Sequence, residues 1–191
     1  MDIKTYLQGE QDSEIRHEYV AGEVFAMGGA AEAHNRIAGN LFYRLRGQTG
    51  GTGCSVFISD MKVRVESHEA FYYPDVLLTC DPNDSNRLYK THPCLIVEVL
   101  SASTEVRDRR EKLQAYRSLP SLRDYLLVAQ DQRRVERYRR ADDGSWHYEV
   151  YDSGALRLGC DGLQVELSLD DLYEDVVFED PERTEGNEAM N

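Results

Sequence analysis

A single charged residue, Glu98, interrupts an otherwise apolar stretch at residues 95–100, which reads Leu-Ile-Val-Glu-Val-Leu. Continuous apolar runs of this length are typical of strands buried on both faces in the middle of a sheet. Side chains alternate along a strand, so Glu98 shares its face with Ile96 and Leu100. An unpaired carboxylate would be costly to bury there, or would be forced to protonate. The sequence therefore predicts a compensating partner: a hydrogen-bond donor, a basic side chain or a bound cation.

The pattern of the whole chain predicts an α/β fold. Alternating or apolar runs between turn residues indicate strands, and apolar residues at helical spacing indicate helices. In chain order we predict a helix at 3–8, a hairpin at 17–27, a helix at 32–46, strands at 54–59, 61–66, 71–79 and 94–100, a helix at 105–118, a strand at 125–129, a β-meander between 134 and 165, and a helical turn at 169–173. This order predicts a mixed central β-sheet flanked by helices, with an N-terminal hairpin and a C-terminal β-meander.

The length of 191 residues suits one domain, placed at 1–178, because no Pro/Gly/Ser-rich linker divides the chain. Residues 179–191 are rich in acids and are predicted to form a disordered tail. No apolar run approaches the roughly 20 residues of a membrane span, and the acidic N-terminus lacks the features of a signal peptide. We therefore expect a soluble, cytoplasmic protein with no membrane partner.

The formal net charge of −13 argues against avid, non-specific binding to nucleic-acid backbones, because its long-range field repels them. The charge is uneven, since residues 105–140 contain 11 of the 22 Lys and Arg and are locally basic. The arginines at 133–140 alternate with other residues along a predicted strand. We expect them to form a solvated face, with a phosphate-contacting patch as the alternative.

Four cysteines are scattered along the chain without any C-x-x-C pair: Cys54, Cys80, Cys94 and Cys160. This spacing suggests neither a zinc ribbon nor a disulfide framework. His92 and Cys94 could begin a zinc site, but no second pair has suitable spacing. We expect reduced, mostly buried thiols.

A second carboxylate, Asp75, follows Pro74 in a predicted strand, 22 intervening residues before Glu98. If the two strands are neighbours, both carboxylates converge on one cation. Magnesium favours such a site, because it is bound through few protein oxygens and keeps several waters. The ion could activate a water and stabilise the charge that develops when a phosphodiester is cleaved. The structural alternatives are a strand-end turn at Pro74-Asp75 and a pairing of Glu98 with Arg109 or Lys112.

Several motifs together carry a family resemblance. They are Tyr73-Pro74-Asp75-Val76, the run Val97-Glu98-Val99-Leu100-Ser101-Ala102-Ser103-Thr104, Asp108, Lys112 and Tyr116 at four-residue steps, and Glu18, Gly22, Glu23 and His34 near the N-terminus. In this combination, over about residues 5–130, the chain resembles the Uma-type (DUF820) restriction-endonuclease-like family of the PD-(D/E)xK nuclease superfamily. The resemblance implies a restriction-endonuclease-like core, dependence on Mg²⁺ or Mn²⁺, and phosphodiester hydrolysis in DNA.

One position departs from the superfamily pattern. The usual lysine lies two residues after the acid, where this chain has Leu100. We predict that Lys112 takes its place, because a helix that follows the strand can return a long side chain over the strand's carboxyl end. Asp108, Lys112 and Tyr116 form one helical stripe at i, i+4 spacing. The structural alternative is a surface pair between Lys112 and Asp108, which would contribute little.

The leading hypothesis is a Mg²⁺- or Mn²⁺-dependent endodeoxyribonuclease. Asp75 and Glu98 would bind the metal with the Val99 carbonyl, Lys112 would assist the water or the transition state, and His34 or Glu18 would support the site. Glu18 could instead face solvent on its hairpin. The alternative functions are a catalytically silent module of the same fold that binds or assembles, and a phosphoesterase acting on RNA or a small molecule. A homodimer is compatible with double-strand cleavage, because one metal site cuts one strand.

Overall fold

The structure, a computed structural model, describes residues 1–178. Its helices and strands in chain order are α1 (Ile3–Asp12), β1 (His17–Val20), β2 (Glu23–Ala26), α2 (Glu32–Thr49), β3 (Ser55–Ile58), β4 (Lys62–Val65), a 3₁₀ turn (Glu66–His68), β5 (Ala70–Tyr72), β6 (Val76–Thr79), β7 (Tyr89–Lys90), β8 (Leu95–Leu100), α3 (Glu105–Arg107), a π-helical turn (Asp108–Lys112), α4 (Leu113–Arg117), β9 (Asp124–Ala129), β10 (Val135–Arg140), β11 (Trp146–Tyr151), β12 (Ala155–Cys160), β13 (Leu163–Ser168) and α5 (Leu169–Leu172).

A six-stranded mixed sheet lies at the centre, in the order β11-β10-β9-β8-β6-β3. Strands β8 and β9 are parallel, and each other neighbouring pair is antiparallel. Every residue of β8 and β9 is buried, as the apolar runs predicted for central strands. A second sheet, ordered β2-β1-β5-β4-β7, contains the N-terminal hairpin.

Two apolar clusters cover the two faces of the central sheet. On one face, Ile37, Leu41 and Leu45 of α2 pack with residues of β12, β13 and α5. On the other face, the helical segments at 105–117 pack with β4 and β5 of the second sheet. Glu98 faces this second cluster, the side of Ile96 and Leu100. The predicted α/β class, a mixed central sheet flanked by helices, is confirmed.

The C-terminal strands are present but divide into two groups. Strands β10 and β11 extend the central sheet, whereas β12 and β13 form a separate hairpin. The arginines at 133–140 do not form a continuous solvated face. Arg137 is buried, and its Nε donates to Asp124 at 2.7 Å. The strand carries this charge inward because a buried acid on the neighbouring strand receives it.

The single strand predicted at 71–79 is wrong, since the structure has two strands there in two different sheets. Residues 73–75 separate them. Pro74 has no backbone N–H to donate to a ladder, and it favours an extended residue before it, so a break at this position follows from its chemistry. The break places Asp75 directly before β6, where the chain passes from the second sheet into the central sheet.

The helix predicted at 105–118 is interrupted rather than regular. It consists of α3, the π-helical turn Asp108–Lys112 and α4, which we call the composite helix. π-helical turns are rare and occur frequently at functional sites. Asp108 and Lys112, the two ends of the turn, are both buried.

The expectation of reduced thiols is wrong. In the structure Cys54 is paired with Cys80, and Cys94 with Cys160, in disulfides. Each cysteine lies at or next to the end of a strand, and the four strand ends meet in space. Because β3 and β6 pair in antiparallel register, Cys54 and Cys80 face each other directly.

Among residues 1–178, no helix combines the length and apolarity that a membrane span requires. The predicted acidic tail at 179–191 lies outside the described residues, and the assignment of 1–178 to one domain stays a prediction.

Candidate active site

Asp75 lies where β6 begins, and the antiparallel pairing of β6 with β8 brings it to the level of Glu98. The backbone N–H of Val99 donates to Asp75 Oδ2 at 2.6 Å, and His34 Nε2, from the first turn of α2, lies 3.2 Å from the same oxygen. Burial disfavours protonated His34, but its contact with Asp75 outweighs burial and raises the pKa of His34 above its usual value of 6.5. The carboxylate is therefore held by two neighbours.

Glu98 is buried on β8, where two side chains donate to its Oε1. Lys112 Nζ lies 3.1 Å away and the Tyr116 hydroxyl 2.9 Å away. Desolvation raises the pKa of Glu98 well above its usual 4.5; Lys112 opposes the shift, and the carboxylates of Asp108 and Asp75 add to it. The compensating partner that the sequence required is thus a lysine, whose charge lowers the pKa of Glu98 without cancelling the effect of burial.

Lys112 is shared among three carboxylates. Its Nζ lies 3.1 Å from Glu98, 3.0 Å from Glu18 and 3.2 Å from Asp108. Burial opposes the charged amine, but the three acids outweigh burial and raise the pKa of Lys112 well above 10.5. At neutral pH Lys112 therefore remains a positive charge and does not accept a proton. The other structural partner considered for Glu98, Arg109, pairs instead with Glu136.

Glu18 is buried rather than solvent-exposed, although it lies on the N-terminal hairpin. Besides contacting Lys112, it accepts the backbone N–H of Tyr73 at 3.3 Å, and Arg107 Nη1 donates to its other oxygen at 2.7 Å. Glu18 thereby connects the second sheet to the composite helix.

The site contains more negative than positive side chains. Its acids are Glu18, Asp75, Glu98 and Asp108, and its cations are Lys112, Arg107 and, when protonated, His34. Arg107 also shares its charge with Glu111, which lies outside this group. Desolvation raises the pKa of Asp108, and the nearby charge of Lys112 partly offsets this rise. The excess of carboxylates in a buried region produces a demand for further positive charge.

These side chains line an open cleft of about 840 Å³. The cleft also includes Val99, the segment 101–104 that follows β8, and the loop 26–31 that precedes α2. It lies beyond the carboxyl ends of the parallel strands β8 and β9, where ligands bind in many open α/β sheets. Asp75, Glu98, Lys112, His34, Val99, Glu18 and Asp108 are all part of its lining. Tyr116 lies behind it and contacts Glu98.

Arg107 and Gln130 are among the cleft residues that the sequence pattern did not single out. Arg107 precedes Asp108 and, like Lys112, reaches Glu18 from the composite helix. Gln130 is the first residue after β9, and its side-chain oxygen is buried without a hydrogen-bond partner among residues 1–178. Gln130 could have been found from sequence, because the first polar residue after a parallel strand lies at the edge where the neighbouring parallel strand also ends.

The chain is similar in sequence and in fold to known proteins. The sequence model described as "Uma2: Putative restriction endonuclease" matches residues 3–171. In Synechocystis sp., the uncharacterized protein slr1290 is 36% identical over 177 residues, 91% of each chain, and the uncharacterized protein sll1609 is 35% identical over 144 residues, 74% of this chain and 81% of the relative.

The fold is similar to the crystal structure of "a putative nuclease belonging to DUF820" from Anabaena variabilis, with a TM-score of 0.68 over 86% of this chain and 93% of that chain. The two chains are 15% identical, so this likeness concerns the fold. The resemblance predicted from the sequence motifs is confirmed. With the family match covering nearly all of the described residues, the chain belongs to the Uma2 family of restriction-endonuclease-like proteins.

Proposed function

We propose that this protein is a metal-dependent endonuclease that hydrolyses phosphodiester bonds in DNA. One observation carries the proposal: four carboxylates meet at one cleft, and three of them share one buried lysine. The resulting demand for positive charge is what a divalent cation satisfies. The description of the family as restriction endonucleases supports DNA as the substrate class.

The ligand atoms available in the cleft suit Mg²⁺ or Mn²⁺. The carboxylates of Asp75 and Glu98 and the carbonyl of Val99 offer oxygen, which hard cations prefer to nitrogen or sulfur. The cleft is open, so water and phosphate oxygens can complete the coordination. A bound ion would activate a water molecule and stabilise the charge that develops on the phosphate.

His34 acts as a positioning residue in this proposal. Its Nε2 and the Val99 N–H both approach Oδ2 of Asp75, which fixes that oxygen and leaves Oδ1 available to a ligand. Partners that orient a metal-binding carboxylate typically affect metal affinity by about 10- to 100-fold. The raised pKa of His34 favours the protonated ring that donates to Asp75.

Lys112 supplies the positive charge that the superfamily lysine provides elsewhere. Leu100, in the usual lysine position, belongs to the apolar cluster beneath the composite helix. Lys112 reaches Glu98 from that helix instead. Because its pKa is raised, Lys112 stabilises negative charge on the phosphate in the transition state rather than deprotonating water. Glu18, Asp108 and Tyr116 are the accessory residues that hold Lys112 and Glu98.

One copy of the cleft would act on one strand. Cleavage of both strands of a duplex would then use two copies, and this is the basis on which we include a homodimer in the proposal. Many basic side chains of residues 105–140 are engaged by acids, Arg109 with Glu136 and Arg137 with Asp124 among them. Contacts with DNA are therefore assigned to the cleft rather than to a broad basic surface.

The proposal is tested by calorimetric titration of Mg²⁺ and Mn²⁺, combined with nicking of supercoiled plasmid at low salt. The wild type is compared with Asp75→Ala and Glu98→Ala. Asp131→Ala is the matched control, because Asp131 is an exposed acid next to the cleft residue Gln130 but is not part of the cleft. We expect the two cleft variants to lose metal binding and nicking together and the control to keep both.

Two results would contradict the proposal. A wild type that binds no divalent cation would leave Glu98 as a structural partner of Lys112. A wild type that binds the metal but cleaves no plasmid in either ion would exclude DNA nicking. It would favour the catalytically silent module, or a phosphoesterase whose RNA or small-molecule substrate is then sought.

A further inference from the structure

All four cysteines of the chain meet at one place, although up to 106 residues separate them (54 to 160). Cys54 directly precedes β3, Cys80 directly follows β6, Cys94 directly precedes β8 and Cys160 ends β12. The first three belong to adjacent strands of the central sheet, and the fourth comes from the C-terminal hairpin. None of them lines the acidic cleft, so this cluster is a separate feature of the molecule.

The four sulfurs form one cluster rather than two separate pairs. Cys80 Sγ and Cys160 Sγ, which belong to different disulfides, lie 3.1 Å apart. The sulfurs of Cys80, Cys94 and Cys160 all lie within 4.8 Å of one another, and Cys54 is bonded to Cys80. A tetrahedral Zn²⁺ ion with bonds of about 2.3 Å would hold its sulfurs about 3.8 Å apart, so the cluster already has nearly the required size.

We propose that, in the reduced chain, Cys54, Cys80, Cys94 and Cys160 form a tetrathiolate site for Zn²⁺. Four sulfur ligands in a tetrahedral arrangement select a soft or borderline ion, in contrast to the oxygen ligands of the acidic cleft. Cys94 and Cys160 belong to an apolar cluster that includes Leu78, Leu95 and Leu158, and Cys54 and Cys80 pack against it. Cys54 and Cys80 are partly exposed, which gives an ion a path into the site.

The backbone geometry at Cys54 and Cys80 also favours binding of a shared ion over a disulfide between these two residues. The Cα atoms of Cys54 and Cys80 lie 4.1 Å apart, closer than the about 4.4 to 6.8 Å at which disulfides usually form. Two ligands on directly opposite positions of paired strands can both turn towards one ion without a bond between them. The two buried cysteines, Cys94 and Cys160, would supply the third and fourth ligands of the tetrahedron.

The disulfide-bonded and metal-bound forms are related by a balanced reaction. Two equivalents of a dithiol reductant supply four electrons and four protons, which convert the two disulfides to four thiols while the reductant becomes two disulfides. Zn²⁺ then displaces the four thiol protons as four Zn–S bonds form. The bound ion would tie the C-terminal hairpin to the start of β8, the strand that carries Glu98.

The test begins with the reduced, chelator-treated full chain, titrated with Co²⁺ and then with Zn²⁺. We expect one equivalent of Co²⁺ to produce thiolate-to-cobalt charge transfer and the d–d absorption of a tetrahedral site, and one equivalent of Zn²⁺ to abolish both. Zn²⁺ should also raise the Tm of the reduced chain, because binding energy at a structural site adds to folding energy.

Variants locate the site. Cys54→Ser removes a partly exposed ligand and Cys160→Ser a buried one. Each should weaken Zn²⁺ binding by at least about tenfold and alter the cobalt spectrum. Glu98→Ala is the control, because it removes a carboxylate of the cleft and should leave the cobalt spectrum unchanged. This control separates the zinc site from the proposed magnesium site, so either proposal can fail alone.

Three outcomes would overturn the inference. The reduced wild type, with four thiols confirmed by alkylation and mass spectrometry, could bind no Co²⁺ or Zn²⁺ at one equivalent. The cobalt spectrum could lack thiolate charge transfer. The disulfides could resist a dithiol under native conditions, which would make them the permanent state of the four cysteines.

Discussion

Two buried glutamates on the same face of the central sheet have opposite electrostatic environments. Glu98 on β8 and Glu136 on β10 both lie opposite Leu127 of the intervening strand β9, and they are 3% and 4% exposed. Burial favours the neutral form of each. Glu136 nevertheless accepts hydrogen bonds from Arg109, Tyr148 and Arg134, which lower its pKa to about 2. The pKa of Glu98, in contrast, is raised.

The difference lies in the number of donors and in how they are shared. Arg109 donates to both oxygens of Glu136 at 2.6 and 2.9 Å, and Arg134 and Tyr148 add further hydrogen bonds. Glu98 accepts one hydrogen bond from the Tyr116 hydroxyl and one from Lys112, which Glu18 and Asp108 also contact. A buried carboxylate is therefore not by itself a sign of a binding site. The sign is a carboxylate whose demand for positive charge the protein leaves unmet.

The largest expected effect is a difference in nicking activity between variants of the two glutamates. Glu98→Gln keeps the side chain's shape but removes the charge proposed to bind metal, so plasmid nicking should fall by more than about 1,000-fold, the scale seen when one member of a catalytic unit is removed. Glu136→Gln should keep most activity and instead lower the free energy of unfolding. The measurement is nicking rate in Mg²⁺ beside urea denaturation. Comparable activity in the two variants would remove the functional distinction between the glutamates.

The next prediction compares Lys112, the partner of Glu98, with Arg109, the partner of Glu136, by the effect of each on the free energy of unfolding. Lys112→Ala leaves three buried acids without their shared cation and should lower the free energy of unfolding by about 3 to 5 kcal/mol in metal-free buffer. Saturating Mg²⁺ should restore part of it, because the ion binds the folded state. Arg109→Ala should cost about 1 to 2 kcal/mol, since Glu136 keeps Arg134 and Tyr148, and Mg²⁺ should restore none of it.

Urea denaturation with and without Mg²⁺ measures both variants. Arg110→Ala is the control for removing a cation from the composite helix, because Arg110 is exposed and should change stability by less than about 0.5 kcal/mol. Equal responses of Lys112→Ala and Arg109→Ala to Mg²⁺ would show that the ion does not replace the charge of Lys112.

The local part of the site could be predicted from the sequence. Apolar neighbours made the burial of Glu98 predictable, and i, i+4 spacing joined Asp108, Lys112 and Tyr116, which remain on one face although a π-helical turn lies between them. The sequence leaves the role of Glu18 open, because hydrophobic periodicity does not determine where a hairpin packs against a helix that begins more than 80 residues later. Its contact with Arg107 spans 89 residues.

Contacts between distant parts of the chain also account for the remaining differences between prediction and structure. The convergence of the cysteines depends on strand order and register, which spacing along the chain does not reveal. Alternation along a strand assigns Arg137 to a face but does not show whether that face is covered, so the burial of Arg137 is not visible in the sequence. Pro74 is different: the lack of an N–H was visible in the sequence, and it was sufficient to break the predicted strand at 71–79.

The pH dependence of stability should have opposite signs at the two glutamates in metal-free protein. The folded pKa of Glu136, about 2, is below its usual 4.5, so its stabilisation is present above pH 4.5 and is lost as pH falls towards 2. The folded pKa of Glu98 is raised, so its favourable contribution is present below pH 4.5 and is lost as pH rises above that value.

Urea denaturation of the wild type, Glu136→Gln and Glu98→Gln as a function of pH measures both effects. The stability difference between wild type and Glu136→Gln should shrink as pH falls below 4.5. Relative to Glu98→Gln, the wild type should become less stable as pH rises above 4.5. Parallel curves for wild type and Glu98→Gln would mean that Glu98 has the same pKa in the folded and unfolded states.

The smallest effect comes from two matched hydroxyls. Tyr116 donates to Glu98 and Tyr148 to Glu136, each at 2.9 Å, but Tyr116 is fully buried and Tyr148 is 51% exposed. Tyr116→Phe should lower the free energy of unfolding by about 1 kcal/mol, because Glu98 has few other donors, and Tyr148→Phe by less than about 0.5 kcal/mol, because water replaces the hydroxyl. Urea denaturation in metal-free buffer measures both variants. Equal losses of unfolding free energy would mean that water reaches Glu98 as readily as it reaches Glu136. Solvent, rather than a cation, would then stabilise the negative charge of Glu98.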